Sequence, residues 1–242
     1  MQRDDALRRL EALGFDRGDS LTLWEHFDDA ERRGKLGHGH SRIPWLETLE
    51  GYNPEAAPIV VEQTDGFRRV DANETIGYVA LRTELAWSLR QPPERARLVV
   101  VENCFPTGML GHYARLAADA GFVCLVTATS PPRLGPPDGP KVAGTNPLAI
   151  AIPSSDGHPV VVDVSMGAVT WGDVIAGRAT QDELVPFGGE QWHKALALAI
   201  GLQLLVDSLV TKPGHAALLL LARPEADPVP ALRATGIRLP GG

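Results

Sequence analysis

Residues Arg97–Thr127 read RLVVVENCFPTGMLGHYARLAADAGFVCLVT. This is an apolar β-branched run, a helically spaced segment stopped at Gly121, and a second apolar run. The spacing predicts a short buried strand over Arg97–Val101, a helix over Gly108–Ala120 and a strand over Phe122–Thr127. That order predicts an α/β layer in which the chain crosses over through a helix. Downstream, the Pro-rich loop Ser130–Pro140 precedes two further apolar runs, Leu148–Ile152 and Val160–Val164, and Ala216–Ala222 supplies another strand. Lys194–Val210, broken by Gln203 and Asp207, is too short and too polar for a membrane span and reads as a buried helix. Upstream, Leu7, Leu10 and Leu13 mark a helix ending at Gly14. Ser20 is the expected cap of a second helix carrying Leu23, Trp24, Phe27 and Ala30. Ala57–Val70 reads as a strand or hairpin and Asn73–Arg90 as helix. No Pro/Ser linker divides the chain.

Composition narrows the function classes. The 242 residues carry 23 Lys+Arg against 30 Asp+Glu, a net charge of −7, and no basic stretch forms the electrostatic footprint of a nucleic-acid binder. A small anionic substrate remains compatible, because a few local arginines suffice to hold one. The two cysteines, Cys104 and Cys124, stand in no CxxC pair, as fits a reducing compartment. Met1–Phe15 is charged and amphipathic without an apolar core, so no secretory signal is read and a cytoplasmic location is expected.

Four loops carry polar groups suited to chemistry. Gly37–Arg42 (GHGHSR) places His38 and His40 on a Gly-rich turn, as general acid, metal ligand or phosphate clamp, although His38-x-His40 has no further ligands nearby. Gly144-Thr145-Asn146-Pro147 is either a plain turn or a ligand loop. Asp163-Val164-Ser165 ends an apolar run, where open α/β sheets place ligands, and an Asp there also serves as a cap. Gly188-Gly189 with His193 and Lys194 precedes the long helix as a possible anion site.

In this order the segments resemble the NAD(P)-dependent malate/L-lactate dehydrogenase type-2, or sulfolactate dehydrogenase-like, oxidoreductases. HFDDAERRGKLGHGHSRIPWLE is similar to that family's DAELRG…SHGxxRLPxYLE, and GYNPEAAPIVVEQT to NPxAxPxVV. VVVENCFPTGMLGHYARLAADAGF is similar to VAVRNSNHFGxxGYYAxxAAEAGM, and SPPRLGP…GTNPLAIAIP to NSPPxMxP…GTNPLAIAAP. VVVDVSMGAVTWG, the HKALALAIGLQLLVDSLV helix, GHAALLLLARPE and GIRLP also have counterparts, so the resemblance runs along nearly the whole chain.

The resemblance implies an α/β fold with a mixed sheet and flanking helices, distinct from the standard Rossmann fold. It implies residues 1–242 as one unit, with 1–120 plus 212–242 as a substrate and dimer subdomain and 121–211 as a shortened cofactor subdomain. The implied activity is NADH- or NADPH-dependent interconversion of a small 2-oxo or cyclic 2-imino acid with its hydroxy or amino acid. A homodimer, a small carboxylate substrate, and neither nucleic acid nor membrane are the implied partners. Carried over by position, His38 matches a proton donor and Arg42 the arginine that grips the substrate carboxylate, with His40 beside it. Ser130, Thr145, Asn146, Asp163, Val164, Ser165 and Lys194 match cofactor positions. A guanidinium fork suits a carboxylate and an imidazole supplies a proton near neutral pH.

The departures are specific. A second family histidine aligns with Pro106, which exchanges no proton, and His112 is the nearest candidate to replace it. Gly37 replaces a serine, and most of the family segment between Gly172 and Gly188 is missing. Three functions therefore stay open: a shortened NAD(P)H-dependent reductase, a cofactor-free relic that binds or regulates, and a non-redox enzyme acting on a small carboxylate.

Overall fold

The computed structural model describes residues 1–241. Helices α1 (Arg3–Ala12), α2 (Arg17–Arg32) and the short α3 (Arg42–Leu46) precede strands β1 (Ile59–Gln63) and β2 (Phe67–Asp71). Then come α4 (Gly77–Arg90), β3 (Ala96–Glu102), α5 (Leu110–Asp119), β4 (Val123–Ala128), β5 (Leu148–Ile152) and β6 (Val160–Val164). The chain closes with α6 (Trp171–Ile175), α7 (Trp192–Asp207), β7 (Ala217–Ala222) and α8 (Val229–Arg233). The fold is mixed α/β, as expected.

The seven strands form one sheet in the order β1-β2-β3-β7-β4-β5-β6. β1 and β2 are an antiparallel hairpin, and β2 pairs in parallel with β3 across the α4 crossover. β3 and β4 both run antiparallel to β7, so the α5 crossover joins two parallel strands with β7 inserted between them. β4, β5 and β6 continue as an antiparallel meander. One sheet thus runs through both expected subdomains.

Alternation decides which side of the sheet is packed. Val99, Val101, Leu219, Leu221, Val126 and Ala149 face α4 and α5, where Leu81, Leu85, Leu110 and Tyr113 close a fully buried core. Each such leucine contributes about 1.5–3 kcal/mol by leaving water. A second core, from Leu7, Leu10, Leu23, Phe27, Ile43 and Leu46, joins α1, α2 and α3 to Ile76 and Tyr78 at the start of α4.

Two details correct the sequence reading. α2 begins at Arg17, capped by the Asp16 carboxylate, which accepts the Asp19 N–H at 2.8 Å; Ser20 lies buried inside the helix. The earlier acidic side chain wins because it reaches the orphan amides of the first turn. α7 is buried on one face only: Ala195, Leu196, Ala199 and Val206 pack inward, whereas Leu198, Leu204 and Leu205 are 53%, 63% and 46% exposed. A helix that is apolar all round says nothing about how many sides are covered. No helix among the described residues is long and apolar enough to cross a membrane.

Candidate active site

The His38 loop is built by close backbone approach. Leu36–His38 forms a single 3-10 turn after α2, and Arg42 opens α3. Gly37 lies against the backbone of Gly172 and Asp173, where any Cβ would sit about 2.7 Å from main-chain atoms. Only glycine fits there, which explains why a serine is absent. Arg42 is 4% exposed; its Nε donates to the Gly37 carbonyl at 2.8 Å and its guanidinium lies 4.7 Å from the Trp45 ring centre. One terminal nitrogen of Arg42 faces His38 Nδ1 at 3.5 Å. An arginine N–H only donates, so Nδ1 presents its lone pair and the imidazole proton sits on Nε2. Burial, and then the Arg42 charge, push the His38 pKa down to about 3, leaving a neutral imidazole at neutral pH.

These groups line a cavity of about 130 Å³ together with Ser130, Thr145, Asp163 and Ser165. Ser130 and Thr145 are tied to each other, the Thr145 N–H donating to Ser130 Oγ at 3.2 Å. Asp163 accepts the Gly111 N–H at 2.9 Å, joining the end of β6 to the first turn of α5. Burial raises the Asp163 pKa against the pull of that hydrogen bond, Lys35 and Arg115. Ser165 Oγ accepts the Gly167 N–H at 3.1 Å.

The other expected site residues lie off the cavity. Asn146 is fully buried: its Oδ1 accepts the Ser130 N–H, and its Nδ2 donates to the Ala199 carbonyl at 2.9 Å and to Gln203 Oε1 at 3.0 Å. It fastens the Ser130 loop to α7. Lys194 is exposed and bonds Gln191, and Val164 is 40% exposed. His40 stacks on Trp24 at 4.9 Å and its Nε2 lies 3.3 Å from Asp28. His112 Nδ1 lies 3.0 Å from Asp29 Oδ2; although burial opposes it, His112 and Arg33 hold the Asp29 carboxyl down at about 2. His112 reaches the cavity only through two intervening rings, His26 at 4.7 Å and then Tyr78.

Four lining residues were not singled out as site residues from the sequence, Lys35, Tyr78, Arg133 and Trp171, and Pro106, where a family histidine is expected, lines the cavity with them. Arg133 stacks on Trp171 at 3.8 Å, its Nε is buried without a hydrogen-bond partner, and desolvation lowers its pKa. Beneath them His26, buried, accepts the Met109 N–H on Nε2 at 2.9 Å and holds the Thr107–Met109 loop in place. Gly108, at φ +72°, passes so close to Tyr78 and His26 that no side chain fits. Neither Arg42 nor Arg133 has a carboxylate partner among the described residues, although both face one cavity. The buried Arg42 guanidinium and the half-buried Arg133, both without counter-ions, mark a place where an anion is expected to sit.

The malate/L-lactate dehydrogenase family profile matches residues 3–189. The chain is 28% identical over 187 residues to a (2R)-3-sulfolactate dehydrogenase (NADP(+)) of Chromohalobacter salexigens, covering 76% of this chain and 56% of that one. It is 27% identical over 237 residues to a Δ(1)-pyrroline-2-carboxylate/Δ(1)-piperideine-2-carboxylate reductase of Pseudomonas aeruginosa, covering 86% of this chain and 70% of that one. Among solved structures, a dehydrogenase from Sinorhizobium meliloti superposes with a TM-score of 0.81 at 26% identity, covering 99% of this chain and 88% of that one. The chain spans about half the length of some curated relatives it matches, 56% in the first case and 47% for a Pyrococcus horikoshii malate dehydrogenase.

Proposed function

The chain belongs to the malate/L-lactate dehydrogenase family, and from that premise we propose that it is an NAD(P)H-dependent oxidoreductase. It interconverts a small 2-oxo or cyclic 2-imino acid and its hydroxy or amino acid. The observation that carries this reading is the juxtaposition of Arg42, a guanidinium without a counter-ion, and His38, a neutral imidazole with its proton on Nε2, in one cavity.

The residues present fit the reactive end of a dinucleotide. Beyond the Ser130 rim a second cleft of about 540 Å³ begins, carrying Gln203, Asp207, Lys212 and His215, and the two spaces share Ser130. Ser130, Thr145, Asp163 and Ser165 would hold the cofactor where they meet the cavity, with Asn146 fixing the loop that carries Ser130. Residues 121–211 form the cofactor subdomain in this reading, and Lys194 takes no part unless α7 turns. When bound, the reduced nicotinamide supplies the hydride.

The chain's own residues do the rest. Arg42 takes the substrate carboxylate in its fork and Trp45 keeps the guanidinium plane in place. The bound carboxylate offsets the Arg42 charge while the larger effect of burial stays, so the imidazole pKa rises part of the way and its protonated form becomes accessible. His38 then donates its Nε2 proton to the substrate oxygen as negative charge develops there. Arg133, facing the same space, suits a substrate carrying a second anionic group. His112 acts as a positioning residue through His26. A homodimer and a cytoplasmic location belong to the same proposal, supported by the family resemblance.

The test is a calorimetric titration of the folded chain with NADH and NADPH, followed by nucleotide oxidation in the presence of 2-oxo acids and cyclic imines. Micromolar binding and turnover of at least one pair are expected. A folded protein that binds neither nucleotide contradicts the redox reading and leaves a carboxylate-binding protein. Turnover of a carboxylate without nucleotide makes it a non-redox enzyme.

A further inference from the structure

Toward the C-terminal end of α5, away from Met109 in the main cavity, lies a cleft of about 610 Å³, bounded by the ends of α2 and α5, the start of β6, α8 and the tail 237–241. Four arginines line it, Arg33, Arg115, Arg233 and Arg238, with His158, and Asp119 is the one acidic lining residue. Such a concentration is unexpected in a chain of net charge −7. Two of the four are already matched: Arg33 Nε bonds Asp29 at 2.7 Å, and Arg233 lies 3.2 Å from Asp156 and donates to the His158 carbonyl at 2.7 Å. Arg115 and Arg238 meet no carboxylate among the described residues, and Arg115 Nε is buried without any hydrogen-bond partner.

We propose that this cleft is a second binding site, for a phosphate-type oxyanion, free or carried as an ester. Burial and then the Arg33 charge push the Arg115 pKa down against the nearby carboxylates of Asp29, Asp119 and Asp163, and its buried Nε still lacks the hydrogen-bond acceptor that an oxyanion would supply. A planar carboxylate saturates one guanidinium fork. A tetrahedral phosphate carries up to two charges and oxygens enough for several forks at once. The tail supplies the remaining wall: the Pro240 carbonyl accepts the Val161 N–H at 3.2 Å, which pins Ile237–Gly241 along the open edge of β6.

The site is independent of the redox reading, yet it shares supports with the main cavity. Arg33 holds one oxygen of Asp29, whose other oxygen holds His112. Arg115 rides on α5, whose first turn holds Asp163. An occupant that draws Arg33 and Arg115 together therefore acts on the elements that position the cavity floor.

The experiment is calorimetric titration of the full chain with pyrophosphate, inorganic phosphate and adenosine monophosphate at constant ionic strength, repeated with Arg115→Met, Arg238→Ser and Arg133→Met. Saturable binding is expected, weakened about tenfold or more by Arg115→Met, less by the exposed Arg238→Ser, and unchanged by Arg133→Met. Tighter binding of the nucleotide assigns an ester, and equal binding a free anion. Should Arg115→Met not fold, Arg238→Ser carries the comparison alone. No saturable binding overturns the site, as does binding that survives both cleft variants and disappears in Arg133→Met, which would place the anion in the main cavity.

Discussion

The two walls of the main cavity are built to different standards. On the α2–α3 side Arg42 is positioned by the Gly37 carbonyl, His38 and Trp45, and the helices behind it share a core from Leu7 to Tyr78. On the α6–α7 side Arg133 has one aromatic neighbour and no hydrogen bond, and α7 turns three leucines to solvent. The first wall is preorganised for one charge and one proton. The second depends on what it binds. A preorganised wall makes activity sensitive to single atoms, whereas a ligand-dependent wall makes affinity negotiable.

The largest expected effect is on the first wall. His38→Gln keeps the shape and the fold but removes proton donation, so kcat is expected to fall by about 10²–10⁴ with an unchanged unfolding transition. Undiminished turnover breaks the proposed role. Arg42→Met is expected to cost about 2–5 kcal/mol of substrate recognition, roughly 10²–10³ in kcat/KM, and Arg42→Lys recovers little because the fork is lost.

Stability contrasts the packed and unpacked faces. Leu219→Ala, in the core between the sheet and α5, is expected to destabilise by about 2–5 kcal/mol. Leu204→Ser on the outer face of α7 is expected to change stability by no more than about 0.5 kcal/mol in the isolated chain. A large loss at Leu204, measured by denaturant unfolding, would show that this face is covered in solution. The most selective effect belongs to Arg133→Met. It is expected to raise KM for a dianionic 2-oxo acid about tenfold and to leave a monoanionic one nearly unchanged. Equal effects on both substrates would remove Arg133 from substrate selection.

The same contrast explains what was legible in the sequence. Strands β3 to β6 fall within two residues of the runs that announced them, because apolar alternation and flanking Gly and Pro are local signals. The insertion of β7 between β3 and β4 is a long-range pairing that no local pattern encodes. His38 and Arg42 were visible because they share one loop. Arg133 and Tyr78 were not, since each reaches the cavity from a distant segment; Arg133 lies in the quoted SPPRLGP stretch, at a position the family pattern leaves open. Asn146 shows the converse limit: an invitingly placed polar residue in a GTNP turn serves to tie a loop to a helix.

Proton donation by His38 rests on a carboxylate at Arg42 easing the suppression of the imidazole, and proton uptake measures that directly. Burial and then the Arg42 charge hold the free imidazole down at about 3, and offsetting that charge is expected to raise it part of the way. Between the free and the bound value the complex holds a proton that the free protein lacks. Calorimetric titration with a small 2-oxo acid at about pH 5, in buffers of different ionisation enthalpy, is expected to show a measurable fraction of one proton taken up. Uptake is expected to fade toward neutral pH and to vanish in His38→Gln. Binding without proton uptake, or uptake that persists in His38→Gln, contradicts it.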